Sequence, residues 1–410
     1  MIDIKIIRDN PKAVRTALLN RGKNAGIVDE FLALDTKWRA ASTALDVARA
    51  AQNELSRERD VEGAKVKKSA VKEIETACTA LEADRAALLE QFPNMPMDDV
   101  PLGRDDSENS VVREVGTKRA FDFVPKDYLT IAEGLGVIDI KKAAEVSGSR
   151  FGYLKGKAAL LEFALVQFAM KRLAAKGFVP VVPPVMIRPT VFKGMGRLAE
   201  TQKDERYYLP ADDLYLVGSA EHTLGPLHMD EVLREKELPK RYVAFSTCFR
   251  REAGSYGKDT KGILRVHQFD KVEMFSFTSP AKSAEEHEFL LSCQEDLLTA
   301  LGLPYRVVQI CTGDMGWTDA KSYDCETWLP AQPSTGSGQE RALGVYRETN
   351  SCSNTTDFQA RGINCKTDKG VYAHLLNATG IAIGRIIIAI IENYQTADGD
   401  FEIPEVLKNF

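Results

Sequence analysis

Apolar residues recur at alternating intervals of three and four over the first quarter of the chain, and this spacing is typical of a coiled-coil seam. The first run comprises Ile27, Phe31, Leu34, Trp38, Ala41, Leu45, Ala48, Gln52 and Leu55. The pattern breaks near Gly63 and resumes at Val66, Ala70, Ile74, Ala77, Leu81 and Leu88. It predicts an antiparallel hairpin of two long helices over about residues 26–92. At ~1.5 Å per residue, the first arm would reach roughly 50 Å.

The residues before this hairpin, 1–25, predict one short helix. Asp9 or Asn10 is placed to cap it, because Pro11 follows and proline is tolerated in the first turn of a helix.

Lysine and arginine cluster where the two arms of the hairpin meet. The cations outnumber Glu58, Asp60 and Glu62 there; they are Arg57, Arg59, Lys65, Lys67, Lys68 and Lys72. A long helical arm with a basic end is able to bind the phosphate backbone of a nucleic acid. A solvated coiled coil used for dimerisation or as a spacer has the same pattern, so charge alone leaves both interpretations open.

A second domain is predicted after a segment rich in Pro, Asp and Ser, residues 92–116. We therefore expect an N-terminal hairpin domain over 1–100, a linker over 101–116 and a larger domain over 117–410. Helical patterns follow at 127–145 and 157–176. The apolar run from Phe178 to Pro184 contains three prolines, which cannot donate a full ladder of hydrogen bonds, so it belongs at a sheet edge or an interface.

Strand patterns dominate the remainder of this domain. Strands are predicted at Leu214 to Gly218, Arg241 to Phe249, Arg265 to Phe277, Tyr305 to Ile310 and Ser322 to Leu329, with helices at about 221–237, 281–302 and Ile381 to Tyr394. The fold class is therefore α+β: an antiparallel helical arm followed by an antiparallel sheet flanked by helices.

Composition excludes several classes of protein. The chain has 410 residues, 44% of them hydrophobic and 28% charged, which suits globular domains. A net charge of −5 requires any nucleic-acid binding to use a local basic patch. Seven cysteines without a C-x-x-C pair predict neither disulfides nor zinc. With no signal peptide, and only Ile386 to Ile391 as a late apolar run, we expect a soluble, cytoplasmic protein and no membrane contact.

The stretch from Phe249 to Phe275 is the best candidate for a ligand site. It predicts two strands joined by a Gly- and Lys-rich connection, with Arg250 and Glu252 on one side and Arg265 and Phe269 on the other. Guanidinium groups suit phosphate oxygens and a ring suits a base, although a hairpin with a solvated basic face remains the alternative. There is no G-x-x-x-x-G-K-[ST] and no G-x-G-x-x-G, so side chains on the sheet must hold any nucleotide.

Further polar residues recur beside the predicted strands. Ser219, Ala220 and Glu221 follow one strand, Glu273 lies on another, and Glu348 precedes the run Thr349-Asn350-Ser351. Arg385 lies among the isoleucines of the last helix, where a buried charge needs an ion pair or a ligand.

These motifs resemble those of a known family. Phe249 to Ser255 with Arg265 to Phe269 resembles the second signature motif of class II aminoacyl-tRNA synthetases. Gly380 to Arg385 resembles the third, and Gly177 to Pro184 the first, which lies at the family's dimer interface. The segments Ser351 to Asn354, Asp357 to Arg361 and Glu392 to Gln395 are similar to those of bacterial-type seryl-tRNA synthetases. The resemblance covers essentially the whole chain, because the helical hairpin is also a family hallmark.

The resemblance implies roles for individual residues. Arg250 and Arg385 are implied as catalytic: Arg250 on the α-phosphate and serine carboxylate, Arg385 on the outer phosphates. The implied ATP-binding residues are Arg250, Arg251, Glu252, Arg265, Val266, Phe269, Glu348, Thr349, Asn350, Ser351 and Arg385. Among these, Glu252 would read the adenine amino group and Phe269 would stack on adenine. Glu348 and Ser351 are implied to bind Mg²⁺, and the implied serine pocket comprises Ser219, Ala220, Glu221, Arg250, Glu273 and Thr379.

The activity that the resemblance implies is activation of L-serine with ATP, followed by transfer to tRNA(Ser), with tRNA(Sec) as a second candidate and a homodimer as the assembly. The chain departs from the family pattern at Ser219, usually threonine, at Thr349-Asn350, usually Val-Ser, and at Ala378, usually glycine. The loop from Gln332 to Leu343 is also longer than usual. The alternatives are a related ligase that loads a carrier protein, a non-catalytic RNA-binding paralogue, and a purely structural coiled coil.

Overall fold

The computed structural model describes residues 1–58, 61–253, 261–331 and 344–410. They form two compact units, Met1–Met95 and Pro96–Phe410. Some residues singled out above lie outside the described ranges: Arg59 and Asp60 of the basic cluster, Gly254 and Ser255 of the connection, and the loop 332–343.

The first unit is helical. It comprises α1 (Ile4–Asp9), α2 (Pro11–Asn20), α3 (Ile27–Arg57) and α4 (Val61–Leu89). The predicted cap at Asn10 is confirmed, because its side chain accepts a hydrogen bond from the Ala13 amide at 3.2 Å. The first 25 residues hold two helices instead of one, since Asp3 caps a helix of its own.

The coiled-coil seam is confirmed in α3 and shifted in α4. Every seam position predicted in α3 is buried or half-buried. In α4, however, Val66, Ala70 and Ala77 are exposed, and Val71 and Cys78 are buried against Leu45 in their place. Valine and cysteine bury more apolar area than alanine, so the helix presents them to its partner.

Asp35 is the most heavily paired acid of this unit. It is 1% exposed, and Arg8 holds it through two hydrogen bonds at 2.7 and 2.8 Å. Arg85 donates to the same carboxylate at 3.0 Å, and Arg39 lies 3.2 Å away. Burial opposes ionisation of Asp35, but the hydrogen bonds from Arg8 and Arg85 prevail and lower its pKa.

We expect Asp35→Asn to destabilise this unit by about 3 kcal/mol at neutral pH, because it leaves clustered arginines without their carboxylate. A carboxyl whose folded pKa is depressed stabilises the fold above its unfolded pKa, so wild-type stability should fall as pH drops below about 4. The variant should lack that acid dependence. Hydrogen exchange of α3 and α4 across pH measures both effects. Asp84→Asn, at an exposed position of α4, is the matched control; equal effects would contradict the assignment.

The second unit combines helices with several sheets. Its helices are α5 (Tyr128–Gly134), α6 (Ile140–Ser147), α7 (Lys157–Ala175), α8 (Pro189–Gly194), α9 (Glu221–Leu224), α10 (Ser283–Ala300), α11 (Phe358–Gly362) and α12 (Ile383–Asn393). Its short strands are β2 (Ile138–Asp139), β3 (Tyr153–Leu154), β5 (Met186–Ile187), β6 (Tyr208–Leu209), β7 (Leu214–Leu216), β8 (Val232–Leu233) and β14 (Lys366–Thr367). The main sheet contains β1 (Ser110–Val115), β4 (Val179–Val181), β9 (Lys240–Phe249), β10 (Gln268–Thr278), β11 (Tyr305–Gln309), β12 (Lys321–Leu329), β13 (Val345–Asn354) and β15 (His374–Ala382).

The main sheet has the strand order β1-β11-β12-β13-β15-β10-β9-β4 among the described residues. Neighbouring strands in this sheet run antiparallel, except that β4 pairs with β9 in parallel at one edge. The predicted antiparallel sheet and the predicted edge position of the proline-rich strand are both confirmed. Strand β1 is the other edge and includes residues 110–115, so the expected linker over 101–116 is shorter than predicted.

Helices cover one face of this sheet. Val272 and Met274 of β10 lie in a buried cluster with Leu165 of α7, Leu297 of α10 and Ile387 of α12. Because side chains alternate along a strand, Phe269, Lys271 and Glu273 face the opposite side. The covered face therefore supplies the main core, whereas the opposite face of β10 carries Lys271 and Glu273 and then Phe275 and Phe277, which are buried in a second apolar cluster.

Several predicted boundaries were wrong. The helix predicted over 221–237 is limited to α9, followed by a 3₁₀ turn at Gly225–His228 and by β8. The pattern over 127–145 forms two helices, since Gly136 turns the chain with a φ of 67°. The last helix starts at Ile383, after β15, and β10 starts at Gln268. Arg265 and His267 therefore precede β10. No helix in the described ranges is long and apolar enough to span a membrane.

Candidate functional site

One cavity of the second unit brings most of the predicted nucleotide-binding residues together. Within the described residues, the predicted positions that line it are Arg250, Glu252, Arg265, Val266, Phe269, Glu348, Thr349, Ser351, Thr379 and Arg385. They come from the ends of β9 and β10, from β13 and β15, and from the first turn of α12. The cavity thus forms where the connections on one side of the sheet converge.

Arg250 and Glu252 lie just beyond β9, where the strand alternation used in the sequence analysis no longer applies. The chain continues as a paired loop, because the Arg250 amide donates to the His267 carbonyl at 2.9 Å. Glu252 has a φ of 52°, a left-handed conformation that costs about 1 kcal/mol for such a residue. Its carboxylate accepts from Arg265 at 2.7 Å. The Arg250 guanidinium lies 5.2 Å from the centre of the Phe269 ring.

Arg385 is paired, as expected for a charge on an apolar helix. Its guanidinium is 3.2 Å from the Glu348 carboxylate and donates to the Glu348 carbonyl at 2.9 Å. The positive charge of Arg385 holds the pKa of Glu348 below its usual range. Glu348 is therefore ionised at neutral pH and Arg385 remains cationic.

Glu273 is buried beside the cavity instead of lining it. It is 1% exposed, and its carboxylate lies 2.5 Å from the Lys271 ammonium two residues earlier on the same strand face. Burial raises the pKa of Glu273, with Lys271 opposing that shift and Glu221 adding to it. Lys271 itself lines the cavity, although it was not among the predicted site residues.

A second cavity adjoins the first and shares Arg250, Glu252 and Arg265 with it. Ser219 and Glu221 line it, whereas Ala220 is completely buried. The Glu221 carboxylate lies 2.7 Å from Arg197. His222 is also buried there; burial, followed by Arg206, Arg197 and Arg250, lowers its pKa well below the usual value, so its ring is neutral.

Asn350 does not face the cavity. It lies where two strands carry an extra residue: the β12–β13 register shifts at Thr349, and the β10–β15 register shifts at Gly380. These bulges separate β13 from β15, which pair only between Cys352–Asn354 and Leu376–Ala378. The Asn350 amide spans the gap by donating to the carbonyls of Thr379 at 3.0 Å and Gly380 at 2.7 Å.

Gln294 of α10 closes the same gap from the helical side. Its side chain is fully buried and donates to the carbonyls of Ser351 at 2.7 Å and Thr379 at 2.9 Å. Together, Gln294 and Asn350 satisfy backbone acceptors that the split sheet leaves without a ladder partner. A polar residue on the apolar face of α10, four residues after Leu290 and three before Leu297, was the sequence signal for this role.

We expect Asn350→Ala and Gln294→Ala each to lower the free energy of unfolding by about 2 kcal/mol, because each leaves a buried carbonyl unsatisfied. Since both amides serve the Thr379 carbonyl, the double variant should deviate from additivity. Denaturant unfolding measures these changes. Asn409→Ala removes an exposed asparagine near the C-terminus and should stay within about 0.5 kcal/mol. Equal effects at 350 and 409 would contradict the bridging role.

The acidic end of the first cavity is suited to a hard cation. Asp324 of β12 is in register with Ser351, and burial followed by the charge of Glu348 raises its pKa well above the usual range. No group of three or more metal-ligating His, Cys, Asp or Glu side chains occurs in the described residues. A carboxylate and a hydroxyl with few other protein ligands fit Mg²⁺, which keeps waters and binds substrate phosphates.

Comparison with known proteins identifies the family. A model of the seryl-tRNA synthetase N-terminal domain matches residues 1–96, and one of the class II tRNA synthetase core domain (G, H, P, S and T) matches residues 204–394. The serine–tRNA ligase of Acidothermus cellulolyticus is 44% identical over 423 residues, covering 100% of this chain and 98% of the relative. The chain belongs to the seryl-tRNA synthetase family. The serine–tRNA ligase of Thermobifida fusca is likewise 44% identical, covering 100% of this chain and 97% of the relative.

A solved structure agrees with this family. Seryl-tRNA synthetase from Pyrococcus horikoshii complexed with ATP superposes with a TM-score of 0.91 at 39% identity, covering 100% of this chain and 98% of the other. The predicted family and fold class are therefore confirmed. The matched region includes both units of this seryl-tRNA synthetase family member.

Four predicted site residues lie outside both cavity linings within the described part of this family member. They are Arg251, Ala220, Glu273 and Asn350. Arg251 is exposed and lies 5.9 Å from the centre of the Tyr207 ring. Lys271, Arg197 and Arg206 each line one of the cavities, although no motif in the sequence marked them.

Proposed function

We propose that the chain binds ATP in the first cavity and L-serine where the two cavities meet, and that it uses this site as a serine–tRNA ligase. It activates L-serine with ATP to seryl-adenylate and transfers serine to the 3′ end of tRNA(Ser). The observation that carries the site assignment is that Arg250 and Arg385, distant in sequence, line one cavity with Phe269 and the Glu252–Arg265 pair.

The first step needs positive charge and alignment more than a general base. A carboxylate oxygen of serine bonds to the α-phosphorus, the bond between the α- and β-phosphates breaks, and pyrophosphate leaves. Two anions must approach each other, so a cation at their meeting point lowers the barrier. Arg250 lines both cavities and takes this position, while Arg385 and Arg265 hold the outer phosphates.

Different residues recognise the base and the amino acid. Phe269 offers its ring to adenine and Glu252 offers a carboxylate oxygen to the amino group of the base. Thr379 and Ser219 supply hydroxyl groups near the serine side chain, and Glu221 supplies a carboxylate for its ammonium group, with Glu273 buried beside the site. A pocket that hydrogen-bonds a hydroxyl discriminates strongly against an analogue that lacks it.

Glu348 and Ser351 would hold Mg²⁺ beside Asp324. The ion would neutralise charge on the phosphates of ATP when bound. Glu348 is ionised and therefore able to bind the ion, because the positive charge of Arg385 lowers the pKa of Glu348.

In the second step a ribose hydroxyl of the tRNA attacks the carbonyl carbon of seryl-adenylate, and AMP leaves. The lysines of α4 near its start are exposed and suit the phosphate backbone of a tRNA arm by charge and shape instead of base readout. We include tRNA(Sec) as a second substrate candidate, because phosphate contacts of this kind do not read sequence.

A second copy of the chain is the proposed partner of the edge at β4. Val179 of β4 and Val182 just beyond it are 54% and 86% exposed. Exposed apolar side chains at a sheet edge mark an interface. This region is also the first signature motif of the family, which supports a homodimer there.

Pyrophosphate exchange with serine, threonine, alanine and cysteine tests the proposed activity and its specificity together. We expect exchange with serine and at least about 10²-fold lower kcat/KM with alanine, which lacks the hydroxyl. Serine-dependent exchange without charging of purified tRNA would favour a carrier-protein ligase. No exchange with any of the four amino acids would favour a non-catalytic RNA-binding protein.

A further inference from the structure

The second cavity is lined by more arginines than carboxylates, so its arginines cannot all form ion pairs with them. Four arginines line it within the described residues: Arg197, Arg206, Arg250 and Arg265. Two of them are paired, Arg197 with Glu221 and Arg265 with Glu252, both at 2.7 Å. Glu205 also lines the cavity and makes interactions of its own. The remaining pair of arginines, Arg206 and Arg250, forms no ion pair among the described residues.

Arg206 and Arg250 converge on the backbone of Gly218. The Arg250 side chain donates to the Gly218 carbonyl at 3.1 Å. A methyl group added to Gly218 would lie 2.7 Å from a terminal nitrogen of Arg206 and 3.4 Å from Cγ of Arg250. Two like charges thus approach one glycine immediately before Ser219, and neither is held in an ion pair in the described part of the chain.

Packing holds Arg206 in this position. Its guanidinium lies 5.4 Å from the centre of the Phe192 ring, and that ring contacts His222 at 4.7 Å between centres. The Nε atom of Arg206 is buried without a hydrogen-bond partner. Burial, followed by the charges of Arg250 and Arg197, lowers the pKa of Arg206 to about 10. An oxyanion bound here would relieve both the repulsion and the unmade hydrogen bond.

The reaction involves two kinds of oxyanion, the phosphates of ATP and the carboxylate of the amino acid. The residues that line the two cavities indicate which of them binds near Arg206. The phosphates belong to the first cavity, which Arg206 does not line. Arg250 lines both cavities, so the carboxylate of the amino acid is the oxyanion that reaches Arg250 from the side of Arg206.

We propose that Arg206 is a second carboxylate-binding residue for the amino acid, acting with Arg250 before the carboxylate reacts. This inference rests on the proposed function and adds a residue to it. When the carboxylate oxygen bonds to phosphorus, the amino acid loses its negative charge. Arg206 therefore stabilises the bound substrate more than the transition state, and its loss should raise the KM for serine more than it lowers kcat.

The test compares the full-length wild type with Arg206→Met and Arg206→Lys. Pyrophosphate exchange gives kcat and the KM values for serine and ATP, and calorimetry gives affinities for three probes. These are L-serine, L-serinamide, which lacks the charged carboxylate, and a sulfamoyl analogue of seryl-adenylate, in which the carbonyl carbon is already bonded to the sulfamoyl nitrogen and no free carboxylate remains. Arg188→Met, which removes an exposed arginine, is the control, and circular dichroism checks that each variant folds.

For Arg206→Met we expect the KM for serine to rise at least tenfold, with kcat and the KM for ATP within threefold. Binding of serinamide and of the adenylate analogue should also stay within threefold. Arg206→Lys should recover part of the serine affinity, because a point charge remains. Gly218→Ala, which displaces the guanidinium without removing its charge, should weaken serine binding in the same direction.

Three results would overturn the proposal. Equal loss of all three probes would make Arg206 merely structural. Unchanged exchange with a raised KM for tRNA would assign Arg206 to a phosphate of the tRNA. Weaker adenylate-analogue binding with lost discrimination against alanine would assign it to the serine hydroxyl. Absence of serine exchange in the wild type would instead refute the proposed function, so the two failures are distinguishable.

Discussion

Arg250→Met is expected to lower kcat/KM for serine-dependent pyrophosphate exchange by about 10³-fold, which corresponds to roughly 4 kcal/mol of transition-state stabilisation. Arg250 lines both cavities, lies 5.2 Å from the Phe269 ring centre and forms no ion pair among the described residues. Its charge is therefore available where the carboxylate meets the α-phosphorus. Steady-state exchange with serine and ATP measures the loss.

Two further variants make this prediction specific. Arg250→Lys keeps the charge but loses the planar fork of donors, so it should recover only part of the activity. Arg188→Met removes an exposed arginine and should leave exchange within twofold. A loss of less than tenfold in Arg250→Met would refute the central role of Arg250.

The second large effect is expected at the start of α4. Replacing Lys65, Lys67 and Lys68 with glutamate should raise the KM for tRNA by about 10²-fold at low salt, because three attractive phosphate contacts become repulsive. These side chains are exposed, and serine-dependent exchange does not involve tRNA, so exchange should not change. The dependence of log kcat/KM on log salt should become shallower by about 2 to 3 units.

A second triple variant with the same change in net charge tests whether the position of the lysines matters. Lys12, Lys23 and Lys37 are also exposed in the first unit, and changing all three to glutamate alters the net charge equally. That variant should charge tRNA within threefold of the wild type. Equal losses in the two triple variants, or a loss of exchange in the first, would contradict a specific contact at the start of α4.

Local sequence signals predicted much of the fold. The heptad in α3 is strong because its first four positions are all large and apolar, from Ile27 to Trp38, whereas Ala70 and Ala77 made the α4 register ambiguous by one position. The helix predicted over 157–176 is confirmed as α7, and its end at Gly177 follows from a φ of 93°. By contrast, β13 and β15 were not assigned, because polar runs such as Thr349 to Asn354 lack the alternation of a half-buried strand.

Site residues with a motif signal were predictable from the sequence, and those without one were not. Arg250, Glu252, Phe269 and Arg385 carry motif signals, and the structure brings them to one cavity. Arg206 and Gln294 carry no motif signal, since an arginine in a charged loop and a glutamine on a helix have ordinary explanations. Asn350 was expected near the ATP contacts, but the bulge at Thr349 directs it to β15.

The sequence by itself determined the family, the helical arm, the antiparallel sheet and the identity of most charged groups, because these depend on local periodicity and short motifs. Only the tertiary structure decided which charges are neutralised and which face a cavity. Arg385 is paired with Glu348, and Arg197 with Glu221, whereas Arg206 and Arg250 meet at Gly218. Pairing depends on bulges, strand ends and loop approaches between residues far apart in the chain, and no periodic pattern records those distances.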